Sequence, residues 1–148
     1  MQRLHQGRVY VDTNVFVYVL DRSERFVDQA ERFLAAAQAG HFEAVTGDLA
    51  AAEALVHPYR EAAQGVIEST KQLFFSDDGP VKVLQHPRAA YDLAAQIRGR
   101  TGAGMIDALH VATALLLDCT HLVTNDARMP TVPGLEVVRL QDLEDLPG

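Results

Sequence analysis

The amino-acid sequence predicts an α/β fold, a three-layer α/β/α sandwich around a short parallel sheet of four to five strands. Short β-branched segments alternate with longer segments that have helical periodicity. Alternation of this kind favours parallel strands joined by right-handed helical crossovers. The length of 148 residues and the apolar fraction of 48% fit a single domain, residues 1–148, with one hydrophobic core.

Five short apolar segments are expected to form the strands, at residues 8–11, 44–46, 81–84, 121–124 and 136–140. Six segments with helical patterning are expected between them, at residues 15–20, 24–39, 47–57, 61–75, 87–98 and 105–117. Pro58 is expected to end or kink the third helix, and residues 99–104 are expected to form a loop. Residues 47–76 then predict a helical hairpin beside the sheet.

Composition argues against several classes of protein. Cys119 is the only cysteine, so an intrachain disulfide is impossible and a cysteine-based zinc site has no support. Residues 105–117 form the most apolar stretch, but it contains Asp107 and is too short to span a bilayer, so a buried helix is expected. The N-terminus is polar and lacks a secretory signal. These features predict a cytoplasmic protein.

The net charge of −7 argues against binding nucleic acid through a broad basic surface. That objection weakens if several acids form one cluster that divalent cations neutralise. The positions of the acids therefore matter more than their number.

Four acids stand out by their context. Asp12 and Asp126 follow the first and fourth predicted strands, where sites form in open parallel sheets. Glu53 and Asp107 interrupt two otherwise apolar helices. A carboxylate in an apolar helix costs several kcal/mol to bury, roughly, unless something compensates its charge.

A divalent cation would supply that compensation. Converging carboxylates repel one another and raise one another's pKa values unless a cation lies among them. Ligands made only of oxygen suit Mg²⁺ or Mn²⁺. Such a site can orient a phosphodiester, activate water and stabilise the leaving oxygen.

Taken singly, each acid has an ordinary explanation. Asp12 could cap the helix that follows it, and Asp126 could be a turn residue. Asp107 could be an exposed acid in a first helical turn, and Glu53 could face solvent. The prediction depends on the four together, in this order and context.

Four segments resemble the motifs of PIN-domain nucleases, in particular VapC-type toxins of VapBC toxin–antitoxin modules. They are VYVDTNVF at 9–16, AEALVHP at 52–58, MIDALHVATA at 105–114 and LVTND at 122–126. Any one of these motifs is weak evidence, but four in order at family-like spacing are specific. The resemblance covers nearly the whole chain.

The resemblance implies a metal-dependent endoribonuclease that hydrolyses RNA phosphodiester bonds, often in tRNA or rRNA. Its catalytic, metal-binding acids would be Asp12, Glu53, Asp107 and Asp126, with Mg²⁺ or Mn²⁺ as cofactor. Asn14 and Thr124 would be polar supports of the site. The family also implies a small VapB-type antitoxin as partner, and homodimers.

Three positions depart from the pattern of many relatives. Arg128 and Met129 replace an acid and a phenylalanine beyond the fourth motif, and Gly47 replaces a serine. Arg128 is the arginine best placed to contact RNA, although a solvated surface charge is the simpler interpretation. His110 lies one turn after Asp107, where it could orient a ligand or contact RNA, although a hydrogen-bonded structural histidine is the simpler interpretation.

Two other functions compete with this one. Phosphoryl chemistry on small molecules would need a second aspartate at position 14, which is Asn14, or a late lysine that neither Lys71 nor Lys82 provides. The other is a catalytically degenerate PIN-like domain that binds RNA or a protein partner without cleavage. The presence of all four acids counts against it.

Overall fold

A computed structural model describes Leu4 and residues 7–143. It contains one parallel sheet of five strands in the order β3-β2-β1-β4-β5. The strands are β1 (Arg8–Val11), β2 (Glu43–Gly47), β3 (Lys82–Leu84), β4 (His121–Thr124) and β5 (Glu136–Arg139). The predicted α/β class and the parallel sheet are confirmed.

Six α-helices connect the strands or extend the connections. They are α1 (Thr13–Leu20), α2 (Val27–Gln38), α3 (Leu49–Arg60), α4 (Gln64–Phe75), α5 (Ala89–Thr101) and α6 (Met105–Leu116), and a short 3₁₀ helix, Leu140–Asp142, follows β5. Helices α3 and α4 pack against each other as the predicted hairpin, and α5 packs against α6. Across the described part of the chain, no helix combines the length and apolar character needed to cross a bilayer.

The sheet divides the buried apolar residues into two clusters rather than the single core expected. Along β1, Val9 and Val11 point to one cluster and Tyr10 to the other, as the period-two alternation of a strand requires. Helices α1 to α4 cover the first face, and α5 and α6 cover the second. The result is the three-layer sandwich that the sequence predicts.

Strand β1 occupies the middle of the sheet. Its register pairs Tyr10 with Val45 of β2 on one side and with Leu122 of β4 on the other. The carboxyl ends of the strands therefore meet at one edge, with the end of β1 at its centre. Asp12, the next residue, still donates its backbone N–H to Val123 O at 3.0 Å.

Two helix ends differ from expectation. Helix α3 does not end at Pro58 but continues through it to Arg60. Proline costs a helix one backbone donor and a clash with the preceding turn, and here only two further residues follow it. Helix α5 extends through Gly99 and ends at Gly102, whose positive φ of 74° is the conformation in which a glycine commonly terminates a helix.

Gly47 ends β2 against the ring of His86. A β-carbon at Gly47 would lie 2.1 Å from His86 Cε1, a separation that packed atoms do not reach. His86 is held by its own hydrogen bonds: Nδ1 contacts Thr113 Oγ1 at 2.7 Å, and Nε2 accepts from Leu49 N–H at 3.3 Å, at the start of α3. The ring has no freedom to yield, which explains why a glycine stands at this position.

We expect Gly47→Ala to destabilise the protein by about 1–3 kcal/mol, because the added methyl overpacks a fixed ring. Chemical denaturation measures this change in the free energy of unfolding. Gly65→Ala in α4 is the matched control: nothing lies within 4 Å of its β-carbon position, so alanine should stabilise the helix by about 0.5–1 kcal/mol. In a His86→Ala background the cost of Gly47→Ala should shrink. An equal cost in both backgrounds would contradict the assignment of the clash to His86.

Candidate active site

The structure brings the four predicted acids to the carboxyl edge of the sheet. Asp12 follows β1, and Asp126 lies two residues beyond β4. Glu53 reaches the same place from α3, and Asp107 from the first turn of α6. The charges of Asp12, Glu53 and Asp126 all act on Asp107. No two of the acids lie on opposite faces of the molecule.

Asp12 is the most buried of the four, with 6% of its surface exposed. It caps α1 as expected, because Oδ1 accepts from Thr13 N–H at 2.8 Å. Oδ2 accepts from the Thr124 hydroxyl at 2.7 Å. Burial raises the pKa of the Asp12 carboxyl, and these hydrogen bonds only partly oppose that shift. Capping and a place in the acidic cluster thus coexist in one residue.

The hydroxyl of Thr124 connects Asp12 with Asn14 and with the backbone of Asp126. Besides donating to Asp12, its buried hydroxyl oxygen accepts from Asp126 N–H at 2.9 Å and from Asn14 Nδ2 at 3.2 Å. The amide oxygen Oδ1 of Asn14 is buried and has no hydrogen-bond partner among the described residues. Thr124 therefore contacts Asp12 directly, and Asn14 is joined to Asp12 through Thr124.

Glu53 is held through one oxygen. Its Oε1 accepts from Thr13 Oγ1 at 2.8 Å and contacts His110 Nε2 at 2.6 Å. Burial raises the pKa of the Glu53 carboxyl, but the hydrogen bond and charge of His110, together with the Thr13 hydroxyl, outweigh it. The pKa of Glu53 is therefore lowered.

Asp107 is half-buried and, within the described residues, accepts no hydrogen bond. Burial raises its pKa, and the negative charges of Asp12 and Asp126 raise it further. The carboxylate lines a cleft of about 400 Å³ together with Arg128, Pro130 and the loop at residues 101–104. Asp107 is thus a partly buried acid at the wall of this cleft, and its carboxylate accepts no hydrogen bond from the described residues.

Asp126 is paired with a cation. The guanidinium of Arg128 donates from Nε to Oδ1 at 3.1 Å and from Nη2 to Oδ2 at 3.2 Å. The hydrogen bonds from Arg128 lower the pKa of Asp126. Position 128, where many relatives have an acid, thus holds an arginine that pairs with Asp126. Met129 is buried in the apolar cluster under α5 and α6.

The expectation that the acids raise one another's pKa values is therefore half correct. It holds for Asp12 and Asp107, where burial is the larger cause and neighbouring carboxylates add to it. It is wrong for Glu53 and Asp126, because each has its own donors and a positively polarised partner. Uncompensated charge is concentrated on the first pair.

The donor set fits a hard divalent cation. Every candidate ligand is a carboxylate, and Asn14, whose amide nitrogen donates to the same Thr124 hydroxyl that serves Asp12, has a buried oxygen without a partner among the described residues. Among the described residues, however, no three acidic, histidine or cysteine side chains already converge closely enough to hold an ion. An ion held by three of the acids would therefore require their side chains to move closer together.

Two contributors to the site, Thr13 and Tyr10, are not predicted from the sequence, and a third, His110, is predicted as a hydrogen-bonded histidine but without its partners. Thr13 bridges Asp12 and Glu53, and its place directly after a strand-end aspartate is a signal that could have identified it. His110 is fully buried and contacts Glu53 and the Tyr10 hydroxyl. Tyr10 reads as an ordinary core aromatic, and only the packing of β1 against α6 reveals its polar role.

The fold is similar to that of several solved structures. VapBC2 from Rickettsia felis, bound to a promoter DNA fragment, matches with a TM-score of 0.71 at 16% identity, over 89% of this chain and 98% of that chain. FitAB bound to the IR36 DNA fragment gives 0.71 at 16%, over 92% and 97%. VapC20 from Mycobacterium tuberculosis, described as a sarcin-ricin loop cleaving toxin, gives 0.69 at 14%, over 82% and 92%.

No curated protein sequence matches the chain. A family model, that of the PIN domain, matches residues 9–135. This range includes all four acids and every strand except β5. The chain therefore belongs to the PIN domain family.

Proposed function

We propose that this protein is a metal-dependent endoribonuclease that hydrolyses RNA phosphodiester bonds. The observation that carries the proposal is the buried carboxylate of Asp12 at the centre of the sheet edge, whose hydrogen bonds offset only part of the cost of burial, with Glu53, Asp107 and Asp126 around it. A buried negative charge lowers the stability of the folded protein unless a bound cation neutralises it. Membership in the PIN domain family supports the same function.

Asp12, Glu53, Asp107 and Asp126 would hold Mg²⁺ or Mn²⁺. A divalent ion in such a site supplies Lewis-acid chemistry at a phosphate and neutralises the charge that develops there. Thr124 and Thr13 fix the carboxylates of Asp12 and Glu53, respectively, by hydrogen bonds. Asp107, in the open cleft, would adjust to the ion and its substrate.

Arg128 would bind the RNA backbone at the mouth of the cleft. Its side chain is 86% exposed and lies between Asp126 and the cleft that Asp107 lines. A planar guanidinium can contact a carboxylate and then a phosphate with the same donors. The net charge of −7 argues against RNA binding through a broad basic surface, but a single cation at the site can still contact a phosphate.

The biological role we propose is that of a VapC-type toxin acting in the cytoplasm, on a tRNA or rRNA, and held inactive by a VapB-type antitoxin. The similarity of the fold to VapBC2 and FitAB supports an antitoxin partner. The α3–α4 hairpin exposes Val56, Tyr59 and Phe75, by 54%, 55% and 64%, and exposed apolar side chains favour protein partners. A homodimer would use part of the same apolar surface.

Purified protein should cleave single-stranded RNA with Mg²⁺ or Mn²⁺ and not in EDTA. Asp12→Asn and Asp107→Asn should each lower the cleavage rate at least about 100-fold, because each removes a charged ligand. Gel assays of labelled RNA measure the rate, and circular dichroism checks the fold.

Asp28→Asn is the matched control, since it removes an exposed carboxylate from the first turn of another helix, α2. It should cleave like the wild type. RNA binding without cleavage by a correctly folded wild type would favour the degenerate, non-cleaving alternative. Cleavage that persists in EDTA would refute the metal mechanism.

Without metal, Asp107→Asn should raise the melting temperature at pH 7 by roughly 1–3 °C, less than a buried group would give because Asp107 is partly hydrated. A carboxyl whose pKa is raised by folding destabilises the fold above that pKa, and the penalty disappears as pH falls toward about 4. The difference from wild type should therefore shrink at pH 4. Saturating Mn²⁺ should reverse the order, because it stabilises only a site that binds it. A lower melting temperature for the metal-free variant at pH 7 would contradict the raised pKa.

Arg128→Gln should weaken RNA binding about 3- to 10-fold and reduce the slope of log affinity against log salt by about one, as loss of one phosphate contact predicts. Fluorescence anisotropy in an Asp12→Asn background measures binding without cleavage. Lys82→Gln is the control, because Lys82 begins β3 at the opposite edge of the sheet. Equal losses for both variants would indicate general electrostatics rather than a contact by Arg128.

A further inference from the structure

The network behind Glu53 is built as a chain of buried polar groups. Gly47 N–H donates to the Tyr10 hydroxyl at 2.9 Å, that hydroxyl contacts His110 Nδ1 at 2.6 Å, and His110 Nε2 contacts Glu53 Oε1 at 2.6 Å. Tyr10 and His110 are each 0% exposed. This series of hydrogen bonds runs from Tyr10, in the apolar cluster under α5 and α6, to Glu53 at the acidic edge of the sheet.

A buried histidine with both nitrogens engaged cannot rotate without losing two hydrogen bonds. The Tyr10 hydroxyl accepts from Gly47 and keeps its own hydrogen to donate to Nδ1, which leaves the hydrogen of a neutral imidazole on Nε2. A cationic imidazole also carries a hydrogen on Nε2. In both forms Nε2 donates to Glu53.

The donation uses up one carboxylate oxygen. Oε1 of Glu53 receives the hydrogens of both His110 and Thr13, so its two lone pairs are occupied. Within the described residues, nothing donates to Oε2. The helix that carries Glu53 is fixed as well, because His86 accepts from Leu49 N–H at its first turn.

We propose that His110, oriented by the Tyr10 hydroxyl, is a positioning residue that binds Oε1 of Glu53 and presents Oε2 alone to a divalent cation. The inference rests on the proposed function and adds residues that do not themselves touch the ion or the RNA. Partners that orient a ligand in this way typically change metal affinity by about 10- to 100-fold when removed. His110 Nε2 thus orients the Glu53 carboxylate in addition to filling space beneath α6.

The test compares two nearly isosteric replacements. Glutamine at position 110 keeps an N–H donor at about the place of Nε2, and methionine has the same length without a donor. Both lose the contact with Tyr10 equally, so their difference reports the donor alone. Mn²⁺ affinity is measured by isothermal titration calorimetry on the full chain, with circular dichroism melts to compare their folding.

His110→Met should bind Mn²⁺ about 10-fold more weakly than wild type or worse, and His110→Gln should remain within about 3-fold. RNA cleavage should follow the same order. Equal Mn²⁺ affinities for the two variants would overturn the positioning role while leaving the nuclease proposal intact. A wild type that binds no Mn²⁺ would overturn the nuclease proposal itself, and this inference with it.

Tyr10→Phe keeps the test decisive if His110→Met does not fold. It removes one oxygen and should weaken Mn²⁺ binding about 3- to 10-fold, because His110 loses the partner that orients it. Tyr18→Phe is the control, since Tyr18 packs on the ring of Phe26 on the other face of the sheet. Unchanged Mn²⁺ affinity in Tyr10→Phe would overturn the proposal.

Discussion

The site depends on one constraint, the placement of a carboxylate where water hardly reaches. Asp12 follows the central strand of the sheet and is 6% exposed. Burying such a charge is unfavourable unless donors or cations surround it. The backbone N–H of Thr13, at the start of α1, and the hydroxyl of Thr124, at the end of β4, offset part of that cost. The order of the strands therefore determines both where Asp12 lies and which groups donate hydrogen bonds to it.

The four acids divide into two kinds. Glu53 and Asp126 are paired, one with His110 and Thr13 and the other with Arg128, and their pKa values lie below the ordinary range. In the part of the chain that the structure describes, no cationic side chain pairs with Asp12 or Asp107, and burial raises their pKa values. Under the proposed function, the negative charge that remains on this pair would attract a divalent ion.

Much of the fold was predictable because it follows from local periodicity. Alternating strands and helices indicated the layers, and the acids after β1 and β4 indicated the active edge. The single core was not correct, since apolar pattern alone does not tell which face of a buried strand a residue occupies. The roles of Tyr10 and His110 could not be predicted either: one hundred positions separate them, and only tertiary packing makes their polar atoms meet. The role of Arg128 could not be predicted either, because the role of an exposed charge depends on which groups lie next to it in the fold.

The contact between Gly47 and His86 also bears on how this branch of the family could have diverged. A side chain at position 47 and an imidazole at position 86 claim the same volume, so neither can be inherited independently of the other. A larger residue at position 47 would therefore need a smaller residue at position 86, and a change at position 47 alone would create the overlap.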